Sequence, residues 1–310
     1  MIVDFFTEVV YQRVLVGTLI IGCTCGVLGT FTYLRRQSLM ADVIGHSSML
    51  GVTLAFLLSV LVLRIDGRNM LVIVGMSALV GLCSAALTSR IAGTTRLGTD
   101  ASMAVVLAVT FGGGMALLNE INARTFPSSK SGLRDYIFGR ATTLLWADVW
   151  VSLGLALLAV AGVLALWRQI QLFVFDPVTA RVLGVRVGLV DAVLTAATVI
   201  AVVVGLKAVG LVLVIAYVVF PAVAARQWTN SCATMALLAG AFGMVASVAG
   251  AILSVAYNVP SGPTTVLVLT AIGGVSLAAA PKRSLLVSAL RRRQARAALV
   301  RQLEEGRVRG

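Results

Sequence analysis

The chain has 310 residues, of which 59% are hydrophobic and 12% are charged, and its mean hydropathy is +1.00. Soluble domains carry about 25% charged residues, so this composition excludes a water-soluble globule and favours a bundle of transmembrane helices. The net charge is +13, to which the stretch 282–310 contributes nine basic and two acidic residues. We interpret that stretch as a cytoplasmic tail near anionic lipid rather than as a nucleic-acid-binding segment.

Apolar segments of about membrane-spanning length recur along the chain, separated by short polar breaks. They cover 14–34, 41–63, 70–89, 101–119, 147–167, 187–206, 209–225, 232–256 and 263–280. We predict an all-α fold, a polytopic bundle of about eight or nine membrane-spanning helices over 1–281, followed by the basic tail 282–310. Only Lys207 and Ala208 separate the sixth and seventh segments, so these two could form a tight or broken hairpin.

Charge placement predicts the orientation of the bundle. Arg35 and Arg36 follow the first segment, and the tail is strongly basic. Loops rich in Lys and Arg stay in the cytoplasm. We therefore expect the N-terminus outside the cell and the C-terminus in the cytoplasm.

The second apolar segment contains an aspartate and the only histidine of the chain, Asp42 and His46. Their i, i+4 spacing puts both on one helix face. His46 comes ten residues after Arg36, about 15 Å along a helix, and an ionisable residue at that depth usually marks a functional pathway. Imidazole and carboxylate together could bind a divalent transition metal, in an incomplete ligand set that a second copy of the chain, backbone or water would finish. A structural pair that locks helix packing is the alternative.

The polar stretch "FDPVTARVLGV", 175–185, predicts a short helix between two apolar segments. Asp176 is a typical N-cap and Pro177 is favoured in a first helical turn. Ala180 would allow close approach of another surface, and Gly184 would end the helix. Such a helix could dock onto a soluble motor protein, or it could be an ordinary connector at the membrane surface.

Five stretches together resemble the membrane permease subunit of the manganese/zinc/iron ATP-binding cassette (ABC) importers. They are "RRQSLMADVIGHSSMLGVTLAFLL" (35–58), "LRDYIFGRATTLLWADV" (133–149), "FDPVTARVLGV" (175–185), "VGLVLVIAYVVFPAVAAR" (209–226) and "YNVPSGPTTVLV" (257–268). The family's serine before the histidine is Gly45 here, and the acidic residue of its last motif is Asn258, which we do not assign to metal.

The resemblance implies a transport permease rather than an enzyme, with Asp42 and His46 on the metal path. It implies manganese, zinc or iron as the transported ion and no permanently bound cofactor. The implied partners are cytoplasmic ATP-binding subunits that dock on Asp176, Pro177, Ala180 and Gly184, an extracytoplasmic metal-binding protein, a second copy or a related permease in a dimer, and membrane lipid. The implied location is the bacterial cytoplasmic (inner) membrane, which the chain crosses several times.

Two other functions compete with this interpretation. A proton-coupled secondary metal transporter could use Asp42 and His46 as proton carriers, but such carriers often contain inverted repeats, and the sequence has no convincing repeat. An intramembrane enzyme would need a fuller catalytic set, and H-E-x-x-H is absent. The sequence also lacks G-x-x-x-x-G-K-[ST], so the energy of an ABC importer would have to come from a partner subunit.

Overall fold

The computed structural model describes residues 9–63, 70–124, 146–257 and 259–280, and the regular structure within them is entirely helical. Nine of the described helices are long and apolar enough to cross a membrane, which confirms the predicted polytopic helix bundle. The helices are α1 Val9–Leu34, α2 Met40–Leu57, α3 Met70–Thr94, α4 Thr99–Ala123, α5 Trp146–Ala165, α6 Trp167–Phe175, α7 Pro177–Val182, α8 Val187–Val209, α9 Leu211–Trp228, α10 Cys232–Tyr257 and α11 Ser261–Ala279. A π-helical segment, Leu58–Leu63, extends α2.

The uncertain sixth and seventh segments are two helices, α8 and α9, which meet at a single residue. Gly210 joins them with φ 84° and ψ 165°, a backbone conformation that glycine adopts without steric strain. The predicted fifth segment, 147–167, is interrupted, because α5 ends at Ala165 and a separate short helix begins at Trp167. The polar loop that follows therefore carries two short helices, α6 and α7.

Helix α1 lies at the centre of one half of the bundle, where it packs against α8, α9 and α10. Its contact with α10 is a direct backbone approach, because a Cβ atom on Gly22 would lie 2.7 Å from the carbonyl oxygen of Gly243. Small residues at such crossings let transmembrane helices approach closely where lipid supplies no hydrophobic driving force. The glycines of α1 thus contribute packing contacts rather than flexibility.

Helices α2, α3 and α4 form the other half of the bundle, and α8 joins the halves by packing against α1, α2 and α3. Met49, Phe56, Ile73 and Leu118 belong to the apolar core of this second half. Helix α8 thus packs against α2, the helix that carries the candidate site.

Several sequence predictions concern residues outside the described ranges. The basic tail 282–310, most of the "LRDYIFGRATTLLWADV" motif and Asn258 lie there. The boundary between bundle and tail and the orientation of the termini stay predictions.

Candidate metal site

Asp42 and His46 lie on adjacent turns of α2, as their spacing predicts. Nε2 of His46 is 3.3 Å from Oδ1 of Asp42, and the two side chains are 27% and 33% exposed, respectively. Both side chains are thus only partly buried, and among the described residues neither forms an ion pair with another helix. Such a pair is accessible to a ligand. The imidazole ring also meets the ring of Phe111 edge to face, with centroids 4.8 Å apart and an interplanar angle of 82°.

The depth of the pair follows from the contacts of its neighbour Gly45 with α8 and α9. A Cβ atom on Gly45 would lie 3.8 Å from Cγ1 of Val202 and 3.2 Å from Cδ1 of Leu211. Val202 comes eleven residues, about 16 Å of helix, after Asp191, which pairs with Arg35 at the end of α1. The candidate site therefore lies well inside the bundle, next to the α8–α9 turn.

His46 lines a cavity of about 1030 Å³ formed by α2, α4, the α8–α9 turn and the start of α11. The walls are mostly apolar and include Phe111, Met115, Leu211 and Pro263. Asp42 lies beside the imidazole, but it is not among the residues that line this cavity. An apolar cavity with few convergent polar groups is the usual form of a binding site.

The pair supplies only part of a metal coordination shell. Within the described residues, no group of three or more His, Cys, Asp or Glu side chains could hold an ion. The described part of one chain thus offers a single carboxylate and a single imidazole at this position. Transition metals take four or more ligands, so the described residues of one copy do not complete a site.

Two further carboxylates inside the bundle pair with cations from other helices. Nζ of Lys207, near the end of α8, donates to Oδ1 of Asp148 on α5 at 2.6 Å. Near the start of α8, Asp191 pairs with Arg35, whose guanidinium lies 5.3 Å from the ring centroid of Phe173. These pairs hold both ends of α8, which lie on opposite sides of the bundle.

The predicted short helix in the polar loop is present as α7, and its N-cap is Asp176. Oδ1 of Asp176 accepts hydrogen bonds from the backbone N–H groups of Val178 and Thr179 at 3.1 and 3.0 Å, and Oδ2 accepts one from the Thr179 hydroxyl at 2.6 Å. Pro177 occupies the first turn. The Thr179 hydroxyl, together with the two backbone N–H groups, holds the pKa of the Asp176 carboxyl below its usual value.

The C-terminal end of α7 also follows the prediction. Gly184 has φ 78°, and the N–H groups of Val185 and Gly184 donate to the carbonyl oxygens of Ala180 and Arg181. This pairing is the Schellman arrangement, in which glycine is favoured after the last helical residue. Both ends of α7 are thus held by hydrogen bonds within residues 176–185.

Ala180 does not face outward, as close approach of another surface would require. It is fully buried, and α7 packs against α6 and α8. The predicted role of Ala180 as a point of approach for a partner is therefore wrong, because the small side chain fits α7 onto its own chain. The outward residues are Val178, Val182 and Leu183, whose apolar side chains are exposed.

Sequence reasoning missed Phe111 and the α8–α9 turn as parts of the site. Phe111 precedes the glycines 112–114, a run that by itself indicates only close helix packing. Nothing in a single sequence relates it to His46, which is 65 positions away. The turn at Gly210 could have been suspected from the two-residue break, Lys207 and Ala208, between the sixth and seventh segments.

Comparison with known proteins identifies the family. The sequence pattern of the ABC 3 transport family matches residues 8–280. The chain belongs to this family. The assignment from the motifs to the metal-type ABC permeases is thereby confirmed, and a proton-coupled secondary carrier is not favoured.

Three relatives illustrate the similarity. The chain is 37% identical over 290 residues to the zinc transport system membrane protein TroC of Treponema pallidum, covering 93% of this chain and 95% of TroC. It is 35% identical over 283 residues to the manganese transport system membrane protein MntC of Bacillus subtilis, covering 90% of this chain and 63% of that longer protein. The fold matches PsaBC from Streptococcus pneumoniae, solved in complex with Fab, with a TM-score of 0.78 and 25% identity over 91% of this chain and 98% of that one.

Proposed function

We propose that the chain is the permease of an ABC importer for a divalent transition metal ion, manganese or zinc, with Asp42 and His46 as ligands on the path. The observation that carries this proposal is the Asp42–His46 pair, whose imidazole lines the cavity. The names of the zinc and manganese relatives support the choice of ion. Iron enters only through the motif resemblance.

The geometry of the pair fits two neighbouring ligands of one ion. Metal–nitrogen and metal–oxygen bonds of about 2.1 Å put neighbouring ligand atoms about 3.0 Å apart at 90° and about 3.4 Å apart at the tetrahedral angle. The distance between Nε2 of His46 and Oδ1 of Asp42 is 3.3 Å. An ion could therefore bridge both atoms without a change of helix geometry.

A second permease copy or a related permease would complete the site. One Asp42 leaves a divalent ion with one uncompensated positive charge, whereas two copies supply two carboxylates and two imidazoles. The helices that flank the cavity, α4 and α11, bury the smallest share of their residues among the nine long helices described. Val109 on α4 and Leu267 on α11 are exposed, and a partner copy would cover them.

The energy for transport would come from cytoplasmic ATP-binding subunits that dock on α7. The permease itself would lie in the bacterial cytoplasmic membrane. The rigid caps of α7 and its exposed apolar residues support this step, since a short helix fixed at both ends can pass motion to α5 and α8. An extracytoplasmic metal-binding protein would deliver the ion to the opposite side.

The metal assignment is tested with the permease purified together with its ATPase subunit. Bound manganese, zinc and iron are measured for the wild type, Asp42→Ala and His46→Ala, and uptake is measured in cells. Ser48→Ala is the matched control, because Ser48 lies on the same helix and its hydroxyl donates to Ile44 of its own helix. We expect both site variants to lose bound metal and at least tenfold in uptake, while the control keeps both. Normal binding and uptake in both site variants would refute the assignment.

The docking helix is tested with Val182→Glu, which changes an exposed residue of α7. We expect this variant to lose the ATPase subunit on co-purification and to keep its metal affinity. The control is Arg96→Gln, a polar change outside α7 that affects an exposed residue of the α3–α4 turn. If Val182→Glu keeps its ATPase subunit and full uptake, α7 is only a connector.

A further inference from the structure

Helix α4 contacts α2 at three consecutive points around His46. The hydroxyl groups of Ser47 and Thr110 are 2.8 Å apart, and the rings of His46 and Phe111 meet edge to face. One turn further on, a Cβ atom on Gly114 would lie 2.8 Å from the backbone nitrogen of Leu50. The helices therefore run parallel here, with little freedom to slide past each other.

The direction of the hydroxyl contact follows from proton counting. The Thr110 hydroxyl donates to the carbonyl oxygen of Val106 at 2.7 Å, so its single proton is used and its oxygen accepts from Ser47. Both side chains are buried, where a polar group without a partner costs about 1–3 kcal/mol. This hydrogen bond joins Ser47, next to His46 on α2, to Thr110, next to Phe111 on α4.

The ring of Phe111 acts on the imidazole directly. Aromatic rings in perpendicular contact are held in a preferred orientation, and a histidine side chain has only two rotatable bonds. With Phe111 against it, the imidazole of His46 keeps Nε2 beside Asp42, at 3.3 Å. Binding groups that are held in place before the ligand arrives need less ordering when it binds.

We propose that Thr110 and Phe111 are positioning residues that hold the imidazole of His46 in its ligand orientation. Phe111 does so by ring contact, and Thr110 does so by fixing the register of α4 against α2 through Ser47. The consequence for metal binding rests on the proposed function. The positioning itself can be measured without metal.

The test uses the fact that His46 is the only histidine of the chain. The full chain, labelled with ¹⁵N- and ¹³C-histidine and placed in nanodiscs, gives imidazole signals from one residue. These signals are recorded in metal-free protein for the wild type, Phe111→Leu and Thr110→Val. We expect Phe111→Leu to remove the shift caused by the neighbouring ring and Thr110→Val to broaden or split the signals.

Two further variants separate positioning from a general loss of structure. Thr110→Ser keeps the hydroxyl and should restore the wild-type spectrum. Thr53→Val is the matched control, because the buried Thr53 hydroxyl donates within α2, to the carbonyl oxygens of Met49 and Leu50. Should Thr110→Val fail to fold, the double variant Ser47→Ala/Thr110→Val removes both polar groups, which is nearly neutral for stability, and still removes the bridge.

Metal affinity provides the second measurement. Changes beside a metal ligand typically reduce affinity 10- to 100-fold, and we expect about a tenfold loss of manganese affinity in Phe111→Leu and Thr110→Val. Unchanged imidazole signals in both variants would overturn the proposal. Altered signals with unchanged metal affinity would support the positioning and refute His46 as a metal ligand, which separates this proposal from the proposed function.

Discussion

The pairs of ionisable side chains described inside the bundle are of two kinds, and their difference distinguishes the proposed metal site from a structural contact. Asp42 and His46 share one helix, their closest atoms are 3.3 Å apart, and both side chains keep roughly a third of their surface exposed. Lys207 and Asp148 join two helices at 2.6 Å and are 20% and 10% exposed. Under the proposed function the first pair binds an ion between its members, whereas the second is already satisfied within the chain.

This difference indicates where the bundle obtains stability and where it keeps binding capacity. A charge in the membrane is unfavourable unless it is paired or hydrated. Lys207 and Asp191 are paired with residues of α5 and α1, so α8 is held at positions about 24 Å apart along its axis. Among the described residues, Asp42 pairs with the histidine of its own helix, and under the proposed function a divalent ion would complete its neutralisation.

The largest effect on stability is expected from Lys207→Met. This change leaves the carboxylate of Asp148 buried without its lysine, and breaking a buried pair from one side costs about 3 kcal/mol. Thermal unfolding of the purified permease measures the loss. The double variant Lys207→Met/Asp148→Leu should recover most of it, because neither charge is then buried. A single variant as stable as the wild type would contradict a structural role for this pair.

A smaller loss, about 1 kcal/mol, is expected from Arg35→Lys. The substitution keeps the positive charge beside Asp191 but removes the planar guanidinium that lies near Phe173. Arg35→Gln should be worse, since the charge itself is lost. The order wild type, Arg35→Lys, Arg35→Gln in unfolding temperature is the measurement, and an Arg35→Lys variant as stable as the wild type would show that the ring contact is unimportant.

Asp42→Asn and His46→Gln should change stability by less than about 1 kcal/mol, because an i, i+4 pair on one helix contributes only a few tenths. Uptake should nevertheless be lost in both. The same unfolding assay as for Lys207→Met gives the direct contrast. A loss of stability as large as that of Lys207→Met would place Asp42 and His46 among the structural pairs.

The sequence was sufficient for features that depend on near neighbours. The long helices follow from apolar segments of about 20 residues, the Asp42–His46 face follows from a four-residue spacing, and the α7 cap follows from Asp176 before Pro177. Features that join distant parts of the chain could not be predicted. Asp148 and Lys207 are 59 positions apart and Arg35 and Asp191 are 156 positions apart.

The error at Ala180 has the same origin. Six residues of α7 do not reveal which face is covered, because the covering residues belong to α6 and α8. A small residue in a predicted docking helix can fit a partner or its own chain, and burial in the folded protein decides between them.

The smallest effect is expected at a carboxylate that water reaches freely, Asp176. Its hydrogen bonds from Thr179 and Val178 lower its pKa in the folded helix, so its capping contribution is complete above the unfolded pKa of about 4 and is lost only as the pH falls through the lower folded value. Between pH 6 and 8 the capping contribution of Asp176 is therefore constant.

Asparagine caps helices about as well as aspartate, so Asp176→Asn should keep the ATPase subunit on co-purification throughout this pH range. Asp176→Ala should retain less of the ATPase subunit, by the same factor at each pH. A difference between wild type and Asp176→Ala that disappears between pH 8 and 6 would show that docking depends on a group other than this carboxylate.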